Sequence, residues 1–541
     1  MSGIAGFCDY CDNLTEEAPL WGALVKRMCS KLCHRGFAGT QARVSAHTAL
    51  GYAALDNAEE NNPSAEGTRG GGRVSAVLDG KLRNAAELKR ELQSLGCRFQ
   101  SGSDAELLLW SYLQFGYFCA EKLSGAFAFV IEDEALGCTF LCRDQLGLKP
   151  LYYAKSGGRL VFGSEAKALF EYPGIFPSLD MGGLHELFRL GPARLPGSGV
   201  FSGIREVKPG HSLLFTENGL REFPYYELEA HPHQDAYDAT IGRIRELISE
   251  SVGRCAGLFS PGCLLSEKEA EIFGDLLPVF SAQEQPEIHL TDLYDAAVAW
   301  DLPGDACDPL FIAYCREIAG KYRSALSSAG LTELFAASPW FREQEQELDG
   351  EFPWLQTLPS LEAFLKPEFA EAAVSFPCGK DVRLPSLSGE TPLKEYRRKV
   401  SYLTLTQYLP GLYSRLDAIA ASAGLELEFP LADSSLAEYL FNIPWEYWSR
   451  GGRPNALFQD IFSSVSLPAP KPPCAEYRRQ IWKRYRSMAE DTEEPIHSLA
   501  SAKAMDLLEP NGSWGRLTQA SRLLQINFWL KRYDVELPFC P

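Results

Sequence analysis

The chain opens MSGIAGFCDY, which places a hydroxyl residue, Ser2, directly behind the initiator and ahead of a glycine-punctuated apolar run. Removing the methionine would set that hydroxyl beside a free α-amine, the pairing an N-terminal nucleophile uses: an oxygen to attack and an amine to help move its proton. A small second residue is also what methionine removal tolerates, so the position alone names no reaction. Cys8 and Cys11 form a CxxC, with Cys29 and Cys33 further on, and thiolates so placed could hold zinc. The second pair lacks CxxC spacing and Cys8 closes a strand-like apolar run, so small buried hydrophobes are the better reading. His231 and His233 stand in the polar, proline-containing stretch LEAHPHQDAYD, where linker polarity explains them better than metal binding.

Composition bounds what such residues can serve. A chain of 541 residues exceeds one ordinary core; domains of about 100 to 200 residues imply two to four of them. Hydrophobic content of 45% with 23% charged residues is a globular balance, and no apolar run nears the roughly 18 residues of a membrane span. No basic segment precedes the N-terminal apolar run, which argues against a secretory signal and for a cytoplasmic address. The net charge of -19 repels phosphate backbones, so neither nucleic acid nor membrane is an expected partner. Fifteen cysteines, an odd count, read as reduced thiols.

Local patterns supply the elements that must position these groups. NAAELKRELQSLG predicts a helix, with Asn84 and Glu87 at capping-box spacing, Leu88, Leu92 and Leu95 on one face and Gly96 closing it. SGSDAELLLWSYLQFG repeats the logic with Ser103 and Glu106. GAFAFVIEDE and CTFLCRD read as paired strands, and GRLVFGSEAKALF as a strand entering a helix. The polar break sets a domain boundary near His231 to His233. Beyond it ATIGRIRELISESVGRC is an amphipathic helix, and the strand candidates CAGLF and YRSALSS, each followed by a helical pattern, suggest an α/β domain with a parallel sheet. SLPAPKPPC reads as an extended surface segment.

Six stretches in order, SGIAGF, HRG, SGAFAF, CRDQLGLKPLYYA, LVFGSEAKALFEYP and FSGIREVKPGHSLLF, together resemble the glutaminase half of the glutamine-dependent asparagine synthetases. QYLPGLYSRLDAIAASAGLELEFPLADSSLAEYLFNIP resembles that family's segment ending in R-x-P-F-L-D, so the likeness covers nearly the whole chain. It implies an α+β N-terminal nucleophile hydrolase domain, an αββα sandwich, over residues 1–230. An α/β ATP-pyrophosphatase-like domain is implied over 231–541. In the family the first site frees ammonia from glutamine; the second adenylates aspartate with magnesium and ATP, and ammonia arriving through an internal tunnel displaces AMP.

The residues that carry this chemistry in the family differ here. The nucleophile position holds Ser2 in place of cysteine, and a hydroxyl, unlike a partly ionised thiol, must lose its proton as it attacks. The N-G-E segment, whose asparagine and glycine help form the oxyanion hole, falls on Asp79, Gly80 and Lys81. A carboxylate there sets negative charge where negative charge must develop, and losing one such donor costs about 100- to 1000-fold. The arginine that grips the glutamine carboxylate aligns with Ala54, and HRGPD has become HRGFA, with Phe37 and Ala38. Asp104 keeps a glutamine-contacting position and serves equally well as a carboxylate opening a helix.

The family's pyrophosphate loop SGGLDSS matches SPGCLLS, Ser260 to Ser266: Pro261 removes an N–H donor, Gly262 is retained, and Leu264 and Leu265 replace polar groups. SGDGGDELFGGY matches SSAGLTELFAAS from Ser327 to Ser338, keeping Gly330 and Glu333 but turning both aspartates into Ala329 and Thr332, which strips magnesium of its oxygen ligands. Glu428 stands for an arginine and Asn455 for a phosphate-stabilising lysine. Leu334, Phe335, Pro410, Asp417, Pro430 and Asp433 survive as scaffold. The reading these residues favour is a catalytically silent homologue acting in binding, scaffolding or regulation, with no cofactor, paired with itself or with an active relative. The alternative is an active glutamine-dependent asparagine synthetase, or a related amide-forming enzyme with an atypical site, using ATP and Mg2+. A third reading is a sensor that binds glutamine or a similar amino acid through Asp104 without turnover.

Overall fold

The structure, a computed structural model, describes residues 2–36, 38–54, 61–256, 262–265, 267–274, 278–279, 286–341, 352–357, 359–371, 384–462, 474–510 and 513–538. The chain divides into two compact units: residues 1–176 with 196–199 and 203–227, and residues 177–195 with 200–202 and 228–541.

In the first unit one antiparallel sheet is built from β1 (Ser2–Cys8), β2 (Gly39–Val44), β3 (Thr48–Ala54), β8 (Tyr152–Ser156), β9 (Arg159–Gly163) and β10 (Ile204–Glu206), in the order β10-β8-β9-β1-β3-β2. A second holds β4 (Ser64–Arg69), β5 (Gly72–Leu82), β6 (Gly125–Asp133), β7 (Cys138–Arg143), β11 (His211–Thr216) and β12 (Gly219–Pro224), in the order β12-β11-β7-β6-β5-β4. Strand alternation divides the side chains between two cores. Val77, Ala128, Val130 and Leu141 join Ile4, Tyr52 and Phe162 of the first sheet. Their neighbours Leu78, Phe127, Phe129 and Phe140 turn the other way, onto Leu88, Leu92, Leu108 and Tyr112 of the helices Ala85–Ser94 and Asp104–Phe115. Leu24, Val25, Met28 and Cys29 of the helix Ala18–Ser30 are buried beside β1, β2 and β3. Burial on both faces is why GAFAFVI reads as a continuous apolar run.

The capping box expected at Asn84 does not form. Its side-chain oxygen accepts from Ser124 N–H at 3.0 Å and its amide donates to Lys122 O at 2.8 Å, so a neighbouring loop outcompetes the helix end. Ser103 does cap, accepting from Glu106 N–H at 3.2 Å.

In the second unit β13 (Gly262–Leu264), β14 (Ser324–Leu326) and β15 (Glu426–Glu428) form a parallel sheet among helices, each strand buried throughout. YRSALSS supplies β14. Of CAGLF, Cys255 and Ala256 end the helix Tyr237–Ala256, while 257–259 lie outside the described residues, as do 463–473 of the proline-rich stretch. The stretch 177–195, placed by the sequence on the N-terminal side of the 231 boundary, packs with this unit. Arg522 donates to Leu187 O at 2.6 Å and Gly191 O at 2.8 Å, and Leu179 N–H donates to Glu536 O at 2.8 Å. The polar break near residue 231 marks the last crossing of the chain and gives no sign of this earlier excursion. Among the described residues no helix is long and apolar enough to cross a membrane, and no three His, Cys, Asp or Glu side chains converge to hold a metal ion.

Candidate functional site

Pairing in the first sheet sets Ser2 opposite Ala54, so the position expected to hold a substrate-gripping arginine carries a methyl group. Asp79 reaches the same point from β5 and is fully buried. Its Oδ1 accepts from Ser2 N–H at 3.2 Å and lies 3.4 Å from Ser2 Oγ, which donates to Leu78 O at 2.9 Å. Ser164 Oγ donates to Asp79 Oδ2 at 3.2 Å and accepts from Ile4 N–H at 2.9 Å. Arg35 stands 3.8 Å from the same carboxylate. Asp79 is therefore a buried carboxylate held by donors beside Ser2, at the position that the resemblance assigns to the oxyanion hole.

Behind this contact lies a charge network that sequence reasoning did not single out: Arg35 bonds Glu165, and Glu165 also meets His34 at 2.9 Å and Lys167 at 2.8 Å. The signals were present in HRG and GSEAKAL, but only folding joins them. Burial pushes the Glu165 carboxyl up, and His34, Lys167 and Arg35 together overcome it, holding the group well below its ordinary 4.5. With the folded value depressed, the stabilisation is complete above the unfolded value and drains away as pH falls through the folded one. Glu165→Gln should therefore cost about 3 to 5 kcal/mol at neutral pH and flatten the acid limb of an unfolding-versus-pH curve below pH 4.5; an unchanged acid limb would contradict this network.

Gly80 follows Asp79 at φ +113°, and a Cβ there would lie 2.0 Å from Ala126 O. Asp104 opens its helix, and its Oδ2 accepts from Leu82 N–H at 3.0 Å, so the carboxylate ties helix to strand. Ala38 N–H donates to Ala54 O at 2.9 Å. Phe37 lies outside the described residues.

In the second unit the expected phosphate loop needs correcting. Gly262 and Leu264 are not in a turn: they lie in β13, paired with Ser324 and Leu326, because the apolar run GCLL satisfies a buried parallel strand. Ser260, Pro261 and Ser266 lie outside the described residues. The helix Glu267–Phe273 begins three residues after β13, and Leu265 and Ser266, which intervene, include no glycine.

The loop after β14 is described in full. Ser327 N–H donates to Glu428 O at 2.9 Å and Ala329 N–H to Ser327 Oγ at 3.2 Å, while Gly330 takes φ +87° with Tyr413 packed against it. Glu269, from the preceding helix, accepts from both Ser328 N–H at 3.1 Å and Ser328 Oγ at 2.8 Å. A side-chain carboxylate thus takes two donors of a stretch that the resemblance matches to a phosphate and magnesium motif. Glu333 accepts from Thr332 at 2.9 Å and Ser338 at 3.0 Å. ATP with magnesium does not fit this set: the loop brings its own anion, and Ala329 and Thr332 offer no carboxylate. Glu428 is buried, with Cys255 Sγ at 3.8 Å. Asn455 adopts φ 53°, ψ 34° ahead of the helix Ala456–Ile461, a left-handed site that asparagine tolerates better than lysine.

A two-sheet, helix-flanked unit with Ser2 on its first strand is followed by a parallel α/β unit. Residues 1–226 match the glutamine amidotransferase domain family and residues 281–470 the asparagine synthase family; β13 and its helix fall between the two matches. The chain is 28% identical to asparagine synthetase [glutamine-hydrolyzing] 3 of Bacillus subtilis, over 99% of this chain and all of that protein. The alignment runs to 632 positions, so the relative carries stretches that this chain lacks. Asparagine synthetase [glutamine-hydrolyzing] 1 of the same organism is 27% identical over 42% of this chain and 36% of its own, and amidase chry2 of Gibberella zeae 29% over 47% and 37%. The chain belongs to the glutamine-hydrolysing asparagine synthetase family.

Proposed function

We propose that this member of the family is catalytically silent and acts as a binding, scaffolding or regulatory protein, through self-association or by pairing with an active homologue. The observation that carries the reading is Glu269: its carboxylate is bonded to Ser328 N–H and Oγ, within the stretch that the resemblance assigns to phosphate and magnesium binding. An anion in that place repels a second one. Asp79 at the other site supports the same reading, and no single rescue repairs both.

The test bypasses the glutaminase site by supplying ammonia and aspartate directly with ATP and magnesium. The expected result is no AMP or pyrophosphate above a heat-killed control, and no thermal shift with ATP. Glu269→Gln should not create turnover, because Ala329, Thr332 and Asn455 are still in place. AMP formation by the unmodified protein, or a clear ATP-dependent rise in its melting temperature, would sink the proposal.

A further inference from the structure

The helix Ala475–Glu490 divides its residues sharply. Tyr477, Ile481, Tyr485 and Met488 are buried, the inward stripe of an amphipathic helix. From the other side Arg478, Trp482, Lys483 and Arg486 line an open groove of about 940 Å³, and Trp514, at the start of the helix Trp514–Tyr533, faces it as well. In a chain of net charge -19 this is a local inversion of charge. Arg479 is already bonded to Glu476, one turn back, and among the described residues Glu490 is the one acidic side chain lining the groove. Arg478, Lys483 and Arg486 make no side-chain hydrogen bond or ion pair among the described residues, and Arg478 Nε is buried without an acceptor. The stretches next to the groove-lining residues in sequence, 463–473 and 511–512, contain Lys471 and no carboxylate, so they offer these cations no counter-charge.

Spacing narrows the class of occupant. Arg478 to Arg486 is eight helical residues, a rise of about 12 Å. Three carboxylates on alternate residues of an extended peptide span about 13 Å. The indoles of Trp482 and Trp514 add apolar faces for a neighbouring aromatic or aliphatic side chain. We propose that this groove docks an extended acidic segment of a partner protein, whose alternating carboxylates meet Arg478, Lys483 and Arg486 while an apolar side chain packs on the tryptophans. A nucleic-acid strand has comparable spacing, but the charge on the rest of the surface opposes a long polyanion. The groove shares no lining residue with the synthetase site, so ATP turnover would leave this inference untouched.

The experiment titrates the full chain into a fluorescent ten-residue peptide of alternating glutamate and glutamine with one central phenylalanine, read by anisotropy. Saturable binding is expected, weakening about tenfold or more in the triple variant Arg478→Ser, Lys483→Ser, Arg486→Ser, with each protein titrated well below its own unfolding midpoint. A distal control, Arg243→Ser, should bind like the parent, and a peptide of the same composition with contiguous glutamates should bind several-fold more weakly. Trp514→Ala should weaken the phenylalanine peptide more than one with alanine in its place. Absence of saturation, equal loss in the Arg243 control, indifference to glutamate spacing, or tighter binding of an oligothymidylate of similar length would overturn the proposal.

Discussion

Ser2→Cys, made alone, leaves glutamine hydrolysis at the background rate. The thiol would enter a site where the Asp79 carboxylate lies 3.4 Å from the present hydroxyl and 3.2 Å from the residue-2 nitrogen. That charge opposes both the thiolate and the oxyanion it would generate, so the better nucleophile meets a worse field. Adding Asp79→Asn returns a neutral donor to the site, and the pair of substitutions is expected to gain on the order of 100-fold over the cysteine alone. Glutamine should still bind poorly, because Ala54 offers no guanidinium. Glutamate release, measured after mass spectrometry has confirmed loss of the initiator methionine, decides the matter. Comparable rates for the single and double variants would show that Asp79 is not the obstacle.

Gly80→Ala is expected to unfold the first unit readily, at a cost on the order of 3 kcal/mol or more. Two effects add: alanine at φ +113° is strained, and its Cβ would lie 2.0 Å from the carbonyl oxygen of Ala126 on the paired strand β6. For a unit of this size that corresponds to a fall of roughly 6 to 12 °C in melting temperature, followed by circular dichroism. A glycine retained only for oxyanion chemistry in a silent protein would accept alanine with little loss, so an unchanged melting temperature would remove the packing explanation. The contrast between neighbours is instructive: Asp79 has departed from the family while Gly80 has not. The first position was held by chemistry and the second is held by a backbone contact.

Local chemistry was legible where it depends on neighbours in the chain. The strands GAFAFVIEDE and CTFLCRD, the Ser103 cap and the helix after the polar break all follow from periodicity and side chains within a few residues. Asn84 was misread because its amide had a competing partner in the loop at Lys122 and Ser124, some 40 residues away. The motif match sets Gly262 to Leu264 in a loop, since a short apolar run carries no period, and only pairing with Ser324 to Leu326 declares these residues a strand. The packing of the Met181–Arg189 helix with the second unit is not legible in the sequence, because Arg522, which holds its C-terminal end, lies more than 300 residues later.

By itself the sequence determined the family, the order of the two units and the identity of the altered residues, since each is a matter of residue type at motif spacing. Tertiary structure decided what those residues do now. Asp79 became a buried anion bonded to Ser2 only when β1 and β5 met, and Glu269 took the Ser328 donors only when the helix after β13 came beside the loop after β14. The physical reason is range. Propensity and capping act over a few residues, whereas a carboxylate takes its meaning from donors within about 3 Å, whatever their separation along the chain.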